Sequence, residues 1–151
     1  CHGPVGTTLV FRMLYELTGE QEYLDWIKRL ARGIIRAGAP EKNSWGYWAS
    51  NCQCCGAPGV LEHFVSVYEL TGEEEFLEYA KRTADVLVGD SQLLDGKRRW
   101  MSAWNRPTPE VVKSFTGFYV GSAGGSSSLL KLYSAIENKP FTDIFEYIYF
   151  D

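Results

Sequence analysis

The chain has 151 residues, 45% apolar and 23% charged, with 15 Lys and Arg against 19 Asp and Glu for a net charge of -4. That length and balance fit one globular domain with a buried core, and exclude both a disordered chain and the basic stripe that phosphate neutralisation requires. Charges break every apolar run far short of the roughly 20 residues that span a bilayer, so no transmembrane segment is expected. The chain opens on Cys1-His2-Gly3, with neither an initiator Met nor a leader-like stretch, and reads as a fragment or a processed product.

A first helix is expected after Gly3, with Leu9, Val10, Met13, Leu14 and Leu17 on one face. The Leu17-Thr18-Gly19-Glu20 segment ends it, because Gly19 suits a C-cap with positive φ, and acidic residues then suit the start of a second helix. That second helix carries Leu24, Ile27, Leu30, Ala31, Ile34 and Ile35 on one face. A shift of 53 residues superposes Gly3 on Gly56, Gly6 on Gly59, Tyr15 to Glu20 on Tyr68 to Glu73, and Lys28-Arg29 on Lys81-Arg82. A further 65 residues match Gly56, Gly59 and Tyr68 to Gly121, Gly124 and Tyr133. The sequence therefore predicts three αα-hairpins, about 1–53, 54–118 and 119–151, within a single domain and essentially without sheet. The connections from about Gly38 to Gln53 and Gly89 to Thr116 hold Trp45, Tyr47, Trp48, Trp100 and Trp104, and are expected to pack as ordered loops across one end of the hairpins.

Every first helix opens with Gly-x-x-Gly, as Gly3-Pro4-Val5-Gly6, Gly56-Ala57-Pro58-Gly59 and Gly121-Ser122-Ala123-Gly124. Small residues repeated at one end would let neighbouring helix ends converge. The fold expected is all-α, an α/α toroid with the Gly-rich helices inside, of which three hairpins make about half a ring.

The same 53-residue shift carries Cys1 to Cys54 and His2 to Cys55. A chain this long does not depend on disulfide staples, and adjacent cysteines pair poorly because the ring they close is strained. Converging helices would instead bring three sulfurs together at helix N-termini, where the dipole is expected to lower thiol pKa. Three sulfurs suit Zn2+ with an open catalytic position, whereas Cys52 or His2 as a fourth ligand would close the site.

Cys1-His2-Gly3-Pro4-Val5-Gly6 and Cys54-Cys55-Gly56-Ala57-Pro58-Gly59 resemble the two zinc motifs of the lanthionine synthetase C-like (LanC-like) family, the second in its Cys-Cys-Gly form. Trp100, Asn105-Arg106-Pro107, Thr116-Gly117-Phe118 and Gly121 to Gly124 resemble the last barrel segment of the same family. The resemblance implies the C-terminal part of an α/α barrel of six or seven hairpins, Cys1, Cys54 and Cys55 as zinc ligands, and a cytoplasmic setting of the kind found in lantibiotic biosynthesis. It also implies a reaction: zinc binds a substrate thiol as thiolate, and the sulfur adds to a dehydroalanine or dehydrobutyrine to form a thioether. The implied partners are a peptide with Cys and dehydrated Ser or Thr, or glutathione. The family's His and Asp from earlier hairpins, and an Arg before the first zinc motif, would precede residue 1. His2 is then the local candidate for proton transfer.

Other residues have plainer readings. Cys52 suits a loop thiol, His63 a hydrogen-bonded core or cavity histidine, and Arg106 either a carboxylate clamp or a loop support stacked on Trp104. Ser126-Ser127-Ser128 suits helix capping rather than nucleophilic catalysis. Two alternatives to the cyclase stay open: a module that binds zinc and a thiol without turnover, and a sugar-processing toroid. The latter uses paired carboxylates about 5 to 9 Å apart and finds no repeated acidic set here. The open edges of a half ring are expected to promote self-association.

Overall fold

A computed structural model describes residues 3–42, 50–103 and 110–142. Its helices are α1 (Pro4–Thr18), α2 (Gln21–Arg36), α3 (Ala57–Thr71), α4 (Glu74–Gly89) and α5 (Ser122–Ile136). The first two predicted hairpins are α1–α2 and α3–α4, and α5 opens the third. The rest of the third unit, from residue 143, lies outside the described residues, as do Trp45, Tyr47, Trp48 and Trp104.

The two hairpin turns are near copies. Gly19 and Gly72 take φ of 69° and 67°, the left-handed conformation that glycine adopts without steric cost, and their N–H groups donate to Tyr15 O at 2.8 Å and Tyr68 O at 2.7 Å. The preceding threonine adds a feature that the cap signal did not predict. Thr18 Oγ1 donates to Leu14 O at 2.8 Å and accepts from Glu20 N at 3.2 Å; Thr71 Oγ1 does the same with Val67 O at 2.7 Å and Glu73 N at 3.2 Å.

The first helices of the units stand side by side, α1 beside α3 and α3 beside α5. Behind them, α2 packs on α1 and α3, and α4 on α3 and α5. This two-layer arc of inner and outer helices is a segment of an α/α toroid. The central helix is the most enclosed: Val60, Leu61, Phe64, Val65 and Val67 of α3 meet Ile27, Ala31 and Ile34 of α2 and Phe76, Leu77, Ala80, Ala84 and Leu87 of α4 in one buried cluster. On the outer layer Arg32 of α2 reaches Glu73 at 2.6 Å and Glu75 at 3.1 Å, and Lys28 reaches Glu73 at 2.9 Å. Glu73 is thereby held below the ordinary carboxylate range, chiefly by its hydrogen bond from Lys28.

Two short hairpins qualify the expectation of an essentially sheet-free fold. β1 (Gln92–Leu94) pairs antiparallel with β2 (Lys97–Arg99), and β3 (Ser102–Ala103) with β4 (Val112–Lys113). The first turns on Asp95-Gly96, both at positive φ (49° and 73°), a pair well suited to a tight hairpin turn. Trp100 follows β2 and is buried, as the loop-packing expectation has it; its Nε1 donates to Leu87 O at 2.7 Å and its ring lies over Gly125.

Candidate metal centre

The glycine pairs position the site, though by a different contact from the one expected. A Cβ on Gly56 would stand on the carbonyl of Ser50, and one on Gly59 on the carbonyl of Gln53. Gly121 and Gly124 stand in the same relation to Phe115 O and Phe118 O. Each glycine therefore makes room for the backbone six residues upstream, so the incoming loop curls over the first turn of its own helix. Convergence between units is the secondary effect, seen where Gln53 Cβ would lie 2.9 Å from a Cβ on Gly124.

This packing delivers Cys54 and Cys55 to the mouth of α3. Gly56 N donates to Cys52 O at 2.9 Å, Ala57 N to Ser50 O at 2.9 Å, and Cys54 N to Tyr119 O at 3.1 Å, which ties the cysteine loop to the segment leading into α5. Cys54 is half-buried and Cys55 exposed, with Cys55 Sγ donating to Cys54 Sγ at 3.2 Å. That separation is within the roughly 4 Å edge of a zinc-sulfur tetrahedron. Cys52 lies in the incoming loop with its sulfur 3.1 Å from Ser50 Oγ.

The expected lowering of thiol pKa by the helix dipole is not found at Cys55. Its pKa is pushed up to about 11, first by the hydrogen bond to Cys54, then by burial and by the neighbouring sulfurs. The hydrogen bond favours the protonated thiol, and two sulfurs this close resist joint ionisation. The donor set fits a soft divalent cation, whose charge would reverse that balance.

Cys1, the third expected ligand, and His2, the candidate proton donor, lie outside the described residues, as does Arg106. Among the described residues no three His, Cys, Asp or Glu side chains converge as a metal-binding group. His63 is buried as expected, against the Phe64 ring at 5.8 Å, but its Nε2 has no hydrogen-bond partner. Burial lowers its pKa to about 4, so the ring is neutral.

Ser126 to Ser128 lie inside α5 rather than at its cap, because the helix begins at Ser122. Ser128 is fully buried and donates to Gln53 Oε1 at 2.8 Å and Gly124 O at 3.1 Å. Gln53 Nε2 in turn donates to Glu62 Oε2. Sequence reasoning missed this polar seam; the signal was a run of polar residues, Glu62-His63 and Ser66 on α3 with Ser128 and Lys131 on α5, at positions that an inner helix packs.

The arc of paired helices with cysteines at an inner-helix mouth defines the class, an α/α-toroid protein. A family model described as lanthionine synthetase C-like protein matches residues 1–146, and the chain belongs to that family. No curated protein matches it. None of the described helices is long and apolar enough to cross a membrane.

Proposed function

We propose that this chain carries the metal site of a zinc-dependent thioether-forming cyclase, with Cys1, Cys54 and Cys55 as ligands. The observation that carries the reading is the Cys54–Cys55 pair, its sulfurs 3.2 Å apart at the α3 mouth in a chain of this family. When bound, zinc supplies a Lewis acid that converts a substrate thiol to thiolate near neutral pH.

The remaining chemistry falls to the protein. The loop from Ser50 to Cys55, held on Gly56 and Gly59, keeps two sulfurs at one point of the inner rim, where a peptide thiol and a dehydro residue can meet. The substrate sulfur adds to the β-carbon of dehydroalanine or dehydrobutyrine, and the π electrons move to the α-carbon and its carbonyl as an enolate. A proton delivered to the α-carbon completes the thioether, and nothing leaves. His2 is the proton donor proposed for that step. Glutathione in place of the peptide cysteine gives the intermolecular version.

A module that holds zinc and a thiol without turnover is the second reading; His63, the one histidine among the described residues, is buried and does not supply a second proton donor beside His2.

The test is elemental analysis of wild type, Cys54→Ala and Cys55→Ala beside incubation with a dehydrated cysteine peptide. The expected result is zinc in the wild type, loss of it in both variants, and wild-type disappearance of the alkylatable peptide thiol without change in mass. Zinc without thiol loss would select the binding module. Equal absence of metal from all three proteins would overturn both readings.

A further inference from the structure

Gln53, immediately before the cysteine pair, occupies an unusual position between two units. Its side chain is held at both ends: Nε2 donates to Glu62 on α3, and Oε1 accepts from Ser128 of α5 at 2.8 Å. Its backbone is held as well, with the carbonyl in the space that Gly59 leaves open and Cβ against Gly124. The next residue, Cys54, donates its N–H to Tyr119 O on the way into α5. Deeper in the same seam, the buried Lys131 Nζ of α5 lies 3.0 Å from Ser66 Oγ of α3. Beside the apolar contacts of Leu129 and Leu132, α3 and α5 thus also meet through paired polar groups, the Gln53 bridge among them next to the cysteines.

A half-buried polar seam of this kind costs stability unless its members are paired, and once paired it fixes one geometry. We infer that Gln53 is the positioning residue of the cysteine site: by bridging Glu62 and Ser128 it holds Cys54 and Cys55 in register with both inner helices, and so makes the third unit part of the metal centre. The inference rests on the zinc reading for its consequence and on the hydrogen bonds for its cause. Groups that orient metal ligands without touching the metal commonly change affinity by about 10–100-fold when removed.

The decisive experiment is an exchange of partners in the full chain. Gln53→Glu replaces the donor with a carboxylate facing Glu62 and breaks the bridge; adding Glu62→Gln restores it with donor and acceptor reversed, while Ser128 still donates to residue 53. Two readouts are compared: exchange of the Cys54 amide measured with a chelator present, and zinc affinity with the absorption spectrum of the Co2+-substituted protein. Gln53→Glu is expected to speed Cys54 exchange, to weaken zinc by about 10–100-fold and to alter the Co2+ spectrum. The double variant is expected to recover all three. Ser128→Ala, which removes one hydroxyl, is expected to give the same changes at smaller size should Gln53→Glu fail to fold. Unchanged Cys54 exchange in the folded variants, absence of rescue, or normal zinc affinity despite faster exchange would each overturn the inference. If the wild type bound no zinc while Cys54 exchange still rose and was rescued, Gln53 would stand as the residue that positions the pair, and the zinc reading would fall instead.

Discussion

His63 is a titratable side chain whose pKa is lowered by burial alone. The unfolded chain takes up a proton on this ring near pH 6.5, while the folded protein resists until about pH 4. Between those values the unfolded state binds more protons, so stability is full above about pH 6.5 and falls as the pH drops, by up to about 3 kcal/mol. Glu41 and Glu73, held below their usual range by Arg82 and Lys28, add an acid limb that begins lower, around their unfolded value of 4.5. Urea denaturation from pH 7 to 5 therefore isolates the histidine: wild type is expected to lose stability across that interval, and His63→Leu to lose little. Its place on an inner helix among Leu61, Phe64 and Val67 was legible in the sequence. Its missing hydrogen bond was not, because that depends on what the neighbouring helices put opposite it.

At the scale of the element, the helix starts and stops were legible and their reasons only in part. Gly19 and Gly72 follow from the need for positive φ and were readable from one repeat. The Gly-x-x-Gly openings were equally visible, but a period shows where small residues recur and not what fills the space they leave. Here it is the chain's own carbonyls, a contact of six-residue separation that no helical or strand period encodes. The Asp95-Gly96 turn carried a hairpin signal in the sequence, but its two flanking strands are three residues each and too short for periodicity to reveal. Thermal denaturation separates the two kinds of glycine. Gly59→Ala drives a methyl group into Gln53 O and is expected to cost about 1–3 kcal/mol. Gly33→Ala, in the interior of α2 with nothing within 4 Å of the new Cβ, is expected to gain about 0.5–1 kcal/mol.

Across the whole molecule, repeated units differ by their neighbours. On α3, between two other inner helices, nine residues are buried; on α1, at one end of the arc, only Thr8 is, and Leu9, Met13 and Leu17 are 62%, 53% and 80% exposed. The far end shows Leu130, Tyr133 and Ile136 of α5 about half exposed. The 151 residues by themselves thus carry apolar strips on α1 and α5, and such surfaces promote association. Sedimentation velocity over a concentration series is expected to show reversible self-association, reduced by the pair Leu9→Glu and Leu17→Glu with helicity retained. A sharp monomer at all concentrations would show that these faces are tolerated in water.

The carbonyls seated on the glycines also dictate where this architecture can vary in length. The stretches from Ser50 to Gly59 and from Phe115 to Gly124 are pinned to their helices at two points, so a residue inserted there would push a carbonyl off its glycine and carry the cysteine pair with it. Among the described residues, no glycine upstream of them seats a backbone carbonyl in this way. From the end of α2 to Gly56 there are 20 residues, and from the end of α4 to Gly121 there are 32, and the additional 12 fall where β1 to β4 form. Added residues are therefore better accommodated upstream of Ser50 and of Phe115 than within the pinned stretches, where they would move the rim itself.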